Sequence, residues 1–288
     1  MEQTVLKTIF SRTILTTLQL TIVTPAIMAQ YYMNIGHTDG TKQRYPISIV
    51  DSVWFDTENL PSEPSGTYEY VDLGLSVKWA TFNVGATAPE EYGDYYAWGE
   101  IEPYYEEGEA QSNEPKWKSG MSDGYTWSSY KYCNGDYGQL IKYCIYSSVG
   151  YEGFRDGKTV LEPEDDVAHV KWGGSWRMPT IDEISELRNK CVWEWTTSNG
   201  VEGYKVTSGK AGYTDRSIFL PAAGFRGNTN LYPVNGYGCY WSNSLYPERP
   251  CTAEYLYFEC GQNPGFPGWH EIYFREYYLG NSVRPVCP

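Results

Sequence analysis

The sequence predicts an α+β domain with few short helices and many short antiparallel strands, preceded by a β-hairpin. Three stretches carry this prediction. In "WRMPTIDEISEL", Thr180 stands where a helix N-cap belongs, and Glu183 follows three residues later to complete a capping box. Ile184 and Leu187 mark that helix's buried side. In "VDLGLSVKWA", Val71, Leu73, Leu75, Val77 and Trp79 alternate with Asp72, Gly74, Ser76 and Lys78, the period of a half-buried strand. From Ser217 onward, short extended runs such as "SIFLPAAGF", "GCYWSNSL", "AEYLYFECG" and "HEIYFREYY" follow one another between loops.

Residues 30–56 form a unit in which Asp39-Gly40 separates two extended runs, a hairpin signal. "TENLPSEPSGT", residues 57–67, is rich in Pro, Ser and Glu without apolar periodicity and reads as a linker. The main domain is expected over 68–288, with its first strand at 71–79 and another short extended piece in "GDYYAWGE". Residues 102–130 are acidic and aromatic without a clear period, which predicts a long irregular insertion. "EPEDDVAHVKWGG" predicts a short helix with Asp165 or Asp166 at its N-terminus, where a carboxylate meets free backbone N–H groups. The capped helix follows at about 181–190. Asn199-Gly200 then marks a turn inside "WEWTTSNGVEGYKVTS". In "AEYLYFECG", Leu256, Phe258 and Cys260 share one face, and Tyr255, Tyr257 and Glu259 share the other.

Composition bounds what the chain can do. Lys7 and Arg12 precede the apolar run "ILTTLQLTIVTPAIMA", which ends at Ala29. Residues 1–29 therefore read as a secretory signal peptide, and the expected location is the cell surface, the periplasm or the medium. Interruption by Thr, Gln19 and Pro25 argues against a transmembrane span, and no later stretch is apolar enough for one. Without the signal, 20 basic and 35 acidic residues remain, a balance of −15. So acidic a protein repels phosphate backbones, which excludes nucleic acid as an expected partner.

The chain carries 28 Tyr and 11 Trp, and about half of these rings are expected at the surface as rigid contact area. Cross-strand aromatic pairs in a β-rich core account for the rest. The seven cysteines contain no CxxC and the three histidines are scattered, so no metal site or cofactor is expected. Cys133 and Cys144 can bridge if "YCNGDYGQLIKYC" folds back through its Asn-Gly turn, and an odd count leaves at least one thiol unpaired.

The ordered motifs "YVDLGLSVKWATFNVGA", "EEYGDYYAWGE", "LEPEDD", "WGGSWRMPT", "FLPAAGFR", "YGCYWSNS" and "NSVRPV" resemble the Fibrobacter succinogenes major paralogous domain, a family of exported Bacteroidetes proteins. The resemblance covers residues 68–288, and the 30–56 hairpin resembles a segment often found in front of that domain. It implies a C-type-lectin-like fold, related to formylglycine-generating enzymes and to the variable proteins of diversity-generating retroelements. In such a fold the first and last strands lie together, which would pair 71–79 with 282–287.

Candidate sites can then be weighed. Glu90, Glu91, Asp94 and Glu100 cluster beside Tyr and Trp as a glycosidase pair would, but nothing fixes a carboxylate separation. The cysteine pair of formylglycine-generating enzymes does not map onto Cys239, Cys251 and Cys260, so no catalytic residue carries over and no enzyme is expected. "LEPEDD" offers Glu162, Glu164, Asp165 and Asp166 either as helix caps or as a calcium loop. Capping fits better, because Pro163 is followed by Glu rather than Asn and the segment precedes "WRMPT".

In the variable proteins of this fold the C-terminal region contacts the ligand, over a "YWSxS"-like support that Trp241 and Ser242 resemble. Asn228, Tyr232, Tyr237, Asn243, Tyr246, Arg249, Tyr257, Trp269, Tyr273 and Arg275 are then expected to face outward and bind a glycan or an extracellular protein. The crowding of Tyr, Asn and Ser there is also what adenine-directed diversification would leave. The rival expectation is a structural surface or assembly component, whose aromatics pack on a partner subunit.

Overall fold

The computed structural model describes residues 32–36, 42–46, 68–260 and 269–288. The chain divides into two compact units, Met1–Leu60 and Pro61–Pro288. The signal segment 1–29, the linker 57–67 and the Asp39-Gly40 turn lie outside the described residues. In the first unit β1 (Tyr32–Gly36) and β2 (Lys42–Pro46) pair antiparallel, with Gly36 opposite Lys42 and Tyr32 opposite Pro46.

The second unit is a mixed α+β assembly of small antiparallel sheets. It opens with β3 (Tyr70–Val71) and β4 (Lys78–Ala80), which pair Tyr70 with Ala80 and Val71 with Trp79. The alternating stretch 71–79 is therefore not one strand. Asp72 Oδ1 accepts the Gly74 N–H at 2.8 Å, and Gly74 takes φ +71°, a left-handed conformation that reverses the chain. Leu73, Val77 and Trp79 are buried nonetheless. The alternation marked burial rather than extension.

Two short helices follow. The first, α1 (Val167–Trp172), is capped by Asp166, whose carboxylate accepts from the Ala168 and His169 N–H groups and from Met178 N–H. The second, α2 (Ile181–Lys190), has the full capping box between Thr180 and Glu183. Arg177 grips the same Glu183 carboxylate with two bonds, at 2.8 and 2.6 Å. Ile184 and Leu187 are buried, each worth roughly 2 kcal/mol of removed apolar surface.

Next come β5 (Cys191–Ser198), β6 (Val201–Ser208) and β7 (Ser217–Pro221), hydrogen-bonded in that order. Asn199 and Gly200, at φ +48° and +86°, form the two-residue turn between β5 and β6. Two short strands, β8 (Phe225–Gly227) and β9 (Asn230–Tyr232), make a hairpin. The third sheet is β10 (Tyr237–Leu245), β11 (Thr252–Glu259) and β12 (Trp269–Glu276). Last, β13 (Val286–Cys287) lies antiparallel to β4, with Val286 opposite Trp79.

Two hydrophobic clusters hold these pieces. One gathers Leu73, Trp79, Tyr204, Val206, Ile218, Leu220, Tyr240, Leu256, Phe258 and Val286 between the two larger sheets, with Ile184 and Leu187 of α2. The other draws in tyrosines of the segment read as an irregular insertion: Tyr104, Tyr105, Tyr125 and Tyr130 join Tyr95, Tyr96, Trp98, Tyr143 and Trp241. That segment is irregular, as its composition implies, yet its rings are core. Among the described residues of the second unit Tyr70, Tyr137, Tyr146, Tyr151, Tyr232 and Trp269 are the exposed Tyr and Trp, sixteen more are buried and the others are half-buried, so about half of these rings reach the surface at least in part. The buried rings are accommodated because irregular backbone, which lacks ladder partners, is satisfied by tyrosine hydroxyls.

All seven cysteines are free thiols. The conceivable Cys133–Cys144 bridge does not form, because the fold-back sets Leu140, not Cys144, opposite Cys133. The Cys133 thiol instead donates to the Asp136 carbonyl, and the Cys144 thiol to that of Tyr146.

Arg284, in the "NSVRPV" segment, is 1 % exposed. Its Nε donates to Asn83 Oδ1 at 2.8 Å, Nη1 to the Ala80 and Thr81 carbonyls at 3.1 and 2.9 Å, and Nη2 to the Phe219 carbonyl at 2.9 Å. A lysine cannot reproduce this fork from one nitrogen. Arg284→Lys is expected to lower the unfolding free energy by about 3 kcal/mol, read as a reduced denaturant midpoint at unchanged slope.

Candidate functional site

The sheet β10–β11–β12 has two unlike faces, set by its register. Tyr237 lies opposite Glu259, Cys239 opposite Tyr257 and Trp241 opposite Tyr255. On β12, Trp269 lies opposite Glu259, Glu271 opposite Tyr257, Tyr273 opposite Tyr255 and Arg275 opposite Ala253. Directly opposed residues share a face, so all of these point the same way. The other face, with Tyr240, Leu256, Phe258 and Ile272, packs on the cluster under α2. The division of "AEYLYFECG" between two faces holds along β11.

The first face grades from core to surface. Trp241, Cys239 and Tyr255 are buried, Tyr237, Tyr257 and Tyr273 half-buried, and Trp269 is 45 % exposed. Tyr257, Trp269 and Tyr273 form a mutual edge-to-face trio with centroids 5.5, 5.8 and 6.3 Å apart. Tyr237 joins it at 5.9 Å from Tyr257. Phe225, on β8, extends the surface by stacking on Tyr232 at 4.3 Å. The Arg275 guanidinium is held between the Phe225 and Tyr255 rings, 3.9 and 4.5 Å from their centroids, and donates to Asn281 Oδ1 at 3.0 Å. Arg275 thus locks the platform together rather than reaching out from it. Glu259 accepts from the Tyr257 hydroxyl at 2.7 Å at the edge of the patch, while the Glu271 carboxylate pairs with Arg188 of α2 at 2.8 Å. The Cys239 thiol beneath is pushed up to about 11 by burial, which keeps it protonated and inert.

Of the expected contact residues, Tyr232, Tyr237, Tyr257, Trp269, Tyr273 and Arg275 converge here. Four do not. Asn243 is buried, its backbone paired with Leu161 and Pro179 because "YWSNS" runs through the core. Tyr246 stacks on Phe274 at 4.3 Å, and Arg249 lies over the same ring and beside Glu276. Phe274 belongs to the opposite face, so this pair looks away from the platform. Asn228 is exposed in the β8–β9 turn at φ +48°, its backbone bonded both ways to Tyr125. Phe225 was missed because "FLPAAGFR" reads as framework; its signal is its place opposite Tyr232.

The acidic candidates are occupied from within. Glu90 accepts from Asn199, Glu91 from Thr87, Asp94 from Tyr96 and Tyr105, and Glu100 from the Tyr104 hydroxyl and the Lys131 N–H. Glu100 is 7 % exposed, and burial pushes its carboxyl up to about 7. In "LEPEDD", Asp166 caps α1, while Glu162, Glu164 and Asp165 surround the Lys142 ammonium at 2.7, 3.7 and 2.5 Å. Buried Asp165 also accepts from the Tyr132 and Tyr143 hydroxyls. A side-chain cation therefore stands at the centre of this carboxylate group. Despite burial, bonds from Lys142 and the two tyrosines hold Asp165 below the usual carboxylate range, and Lys142 holds Glu162 there too.

No protein-family model, curated protein or solved structure matches the chain.

Two pH effects of opposite sign follow. Glu100 is raised in the folded state, so its contribution is present at acid pH and is lost as pH rises from about 4.5 through about 7. Both its hydrogen bonds reach one oxygen, which a glutamine carbonyl can replace. Glu100→Gln is expected to remove this slope and raise stability at pH 8 relative to wild type, by up to about 3 kcal/mol, in denaturation curves across pH. Asp165 and Glu162 are lowered, so their contribution is present above the carboxylate range and lost as pH falls through it. Lys142→Met is expected to cost about 1–3 kcal/mol at pH 7 and to flatten that acid limb.

Proposed function

We propose that the protein is an exported binding protein that holds a glycan or an extracellular protein flat against the aromatic face of β10–β12. One observation carries the reading: Tyr237, Tyr257, Trp269 and Tyr273 converge with the Phe225–Tyr232 pair on one sheet face, around an arginine clamp. Rings fixed by neighbouring rings lose little entropy on binding, and they offer both stacking faces and hydroxyl groups. A contiguous aromatic patch on a soluble domain marks an interaction surface. The acidic balance of the chain directs that surface away from nucleic acid and anionic lipid.

The resemblance to the Fibrobacter succinogenes major paralogous domain supports the reading, as does the β4–β13 pairing, which is what a C-type-lectin-like closure requires. Within that fold the same face is the place for a retroelement-diversified surface. No role in catalysis is assigned to any residue.

The test is a binding screen of the purified protein against glycan and extracellular-protein arrays, with and without chelator. For a saturable ligand, Trp269→Ala and Tyr257→Ala are expected to weaken binding at least tenfold, about 1.4 kcal/mol. Val192→Ala, exposed on β5, is expected to leave it unchanged. Loss through Val192→Ala but not through the two aromatic changes sinks the proposal. A protein that binds only itself, by sedimentation, transfers the face to an assembly role.

A further inference from the structure

A second concave site lies away from the aromatic platform. The outer face of β5–β6–β7 carries Thr196, Ser198, Lys205, Ser217 and Phe219, which the register places on one side, while Trp193, Trp195, Tyr204 and Val206 face the core. Above this face passes the loop that leaves β4. The Glu90 carboxylate fastens that loop by accepting from Asn199 in the β5–β6 turn. Between them is a cavity of about 380 Å³.

The floor depends on Gly203. A Cβ there would come within 2.8 Å of the Phe219 ring and 2.3 Å of the Leu220 carbonyl, so only glycine lets the ring lie across the sheet. The lining chemistry is specific. Thr81, Thr196, Ser198 and Ser217 line the cavity with the Lys205 ammonium beside them, and Thr197, which alternation turns the other way, completes its edge. The hydroxyls of Thr196, Ser198 and Ser217, and the ammonium, have no hydrogen-bond or ion-pair partner among the described residues. Val71, Pro89 and Phe219 add an apolar wall, and no carboxylate lines the cavity.

We infer that this groove is a binding site for one pyranose unit of a glycan, independent of the aromatic face. Hydroxyls both donate and accept, which matches the mixed donor–acceptor hydroxyls of a sugar ring, and the apolar wall meets its C–H surface. The volume lies in the range of small-ligand pockets, roughly 300–1,000 Å³. A single lysine in so acidic a chain is a poor match for a polyphosphate. Lys205 serves either a ring hydroxyl or the carboxylate of an acidic sugar, and the test separates these.

The experiment is saturation-transfer NMR and titration of the full protein with methyl pyranosides of glucose, galactose, mannose and N-acetylglucosamine, and with glucuronate. Saturable binding in the millimolar range is expected, weakened at least tenfold in Thr196→Val and Ser217→Ala and retained in Trp269→Ala. Binding of neutral sugars assigns the groove to a hexose. Binding of glucuronate alone, lost in Lys205→Met, assigns it to an acidic pyranose. No saturable binding by any of the panel up to about 50 mM overturns the inference. So does binding that Trp269→Ala abolishes and the groove variants leave intact. Because the two sites share no residue, failure here leaves the aromatic-face reading standing.

Discussion

Buried tyrosine hydroxyls bonded to backbone are the constraint on which this structure rests. Between β4 and α1 the chain runs for some eighty residues with no strand longer than an isolated bridge and no α-helix. Backbone in that state, taken out of water, leaves polar groups without ladder partners at a cost of about 1–3 kcal/mol each. Here the side chains supply the partners. Tyr95 donates to the Ala223 carbonyl, Tyr125 to that of Tyr95 and Tyr130 to that of Trp98, while the Tyr95 N–H donates to the Tyr105 hydroxyl. Two indoles do the same across elements: Trp98 donates to the Ser242 carbonyl and Trp241 to that of Tyr96. Each ring thus fills volume and closes a backbone hydrogen bond at once. Phenylalanine could do the first but not the second, which gives the tyrosine-rich composition a structural cause.

That arrangement works only if the pieces of secondary structure around it are fixed. Arg284 fixes three of them. By bonding carbonyls at the end of β4 and on β7, it joins β4, the β5–β6–β7 sheet and the C-terminal segment at one buried point. The β4–β13 pairing completes the same junction. Asn83, the arginine's side-chain partner, passes the connection on to Tyr92 and Tyr240, so the link reaches β10 on the core face of the aromatic sheet. A charge so deeply buried is tolerable because nearly all its donors are used.

What the sequence made legible follows from how local each feature is. The α2 cap and the Asn199-Gly200 turn depend on residues within four positions of one another, and both formed where their chemistry indicated. The 71–79 alternation failed because a single Gly74, with an Asp two residues before it, outweighs the period around it. Residues 102–130 were legible as irregular but not as core, since acidic residues and aromatics without a period look the same whether the rings cover a core or cover nothing. Asn243 and Tyr246 were misplaced for other reasons. Asn243 lies inside the irregularity of the β10–β11 register between Trp241 and Leu245 and is buried, while Tyr246, an odd number of residues from Tyr237, falls on the other face by plain alternation.

The aromatic platform is continuous with this core, and that continuity is its functional argument. Tyr255 is packed beside Trp241, Tyr273 leans on Tyr255, and Trp269 leans on Tyr273. The outermost ring is positioned by rings that are themselves positioned by the interior. Such a surface is preorganised: a ligand meeting Trp269 and Tyr257 need not order them first. Arg275 strengthens the case, because a guanidinium held between Phe225 and Tyr255 keeps the β8–β9 hairpin and the sheet at fixed separation. Arg275, one of the residues expected from the sequence to face outward to a ligand, instead holds the rings around it in place.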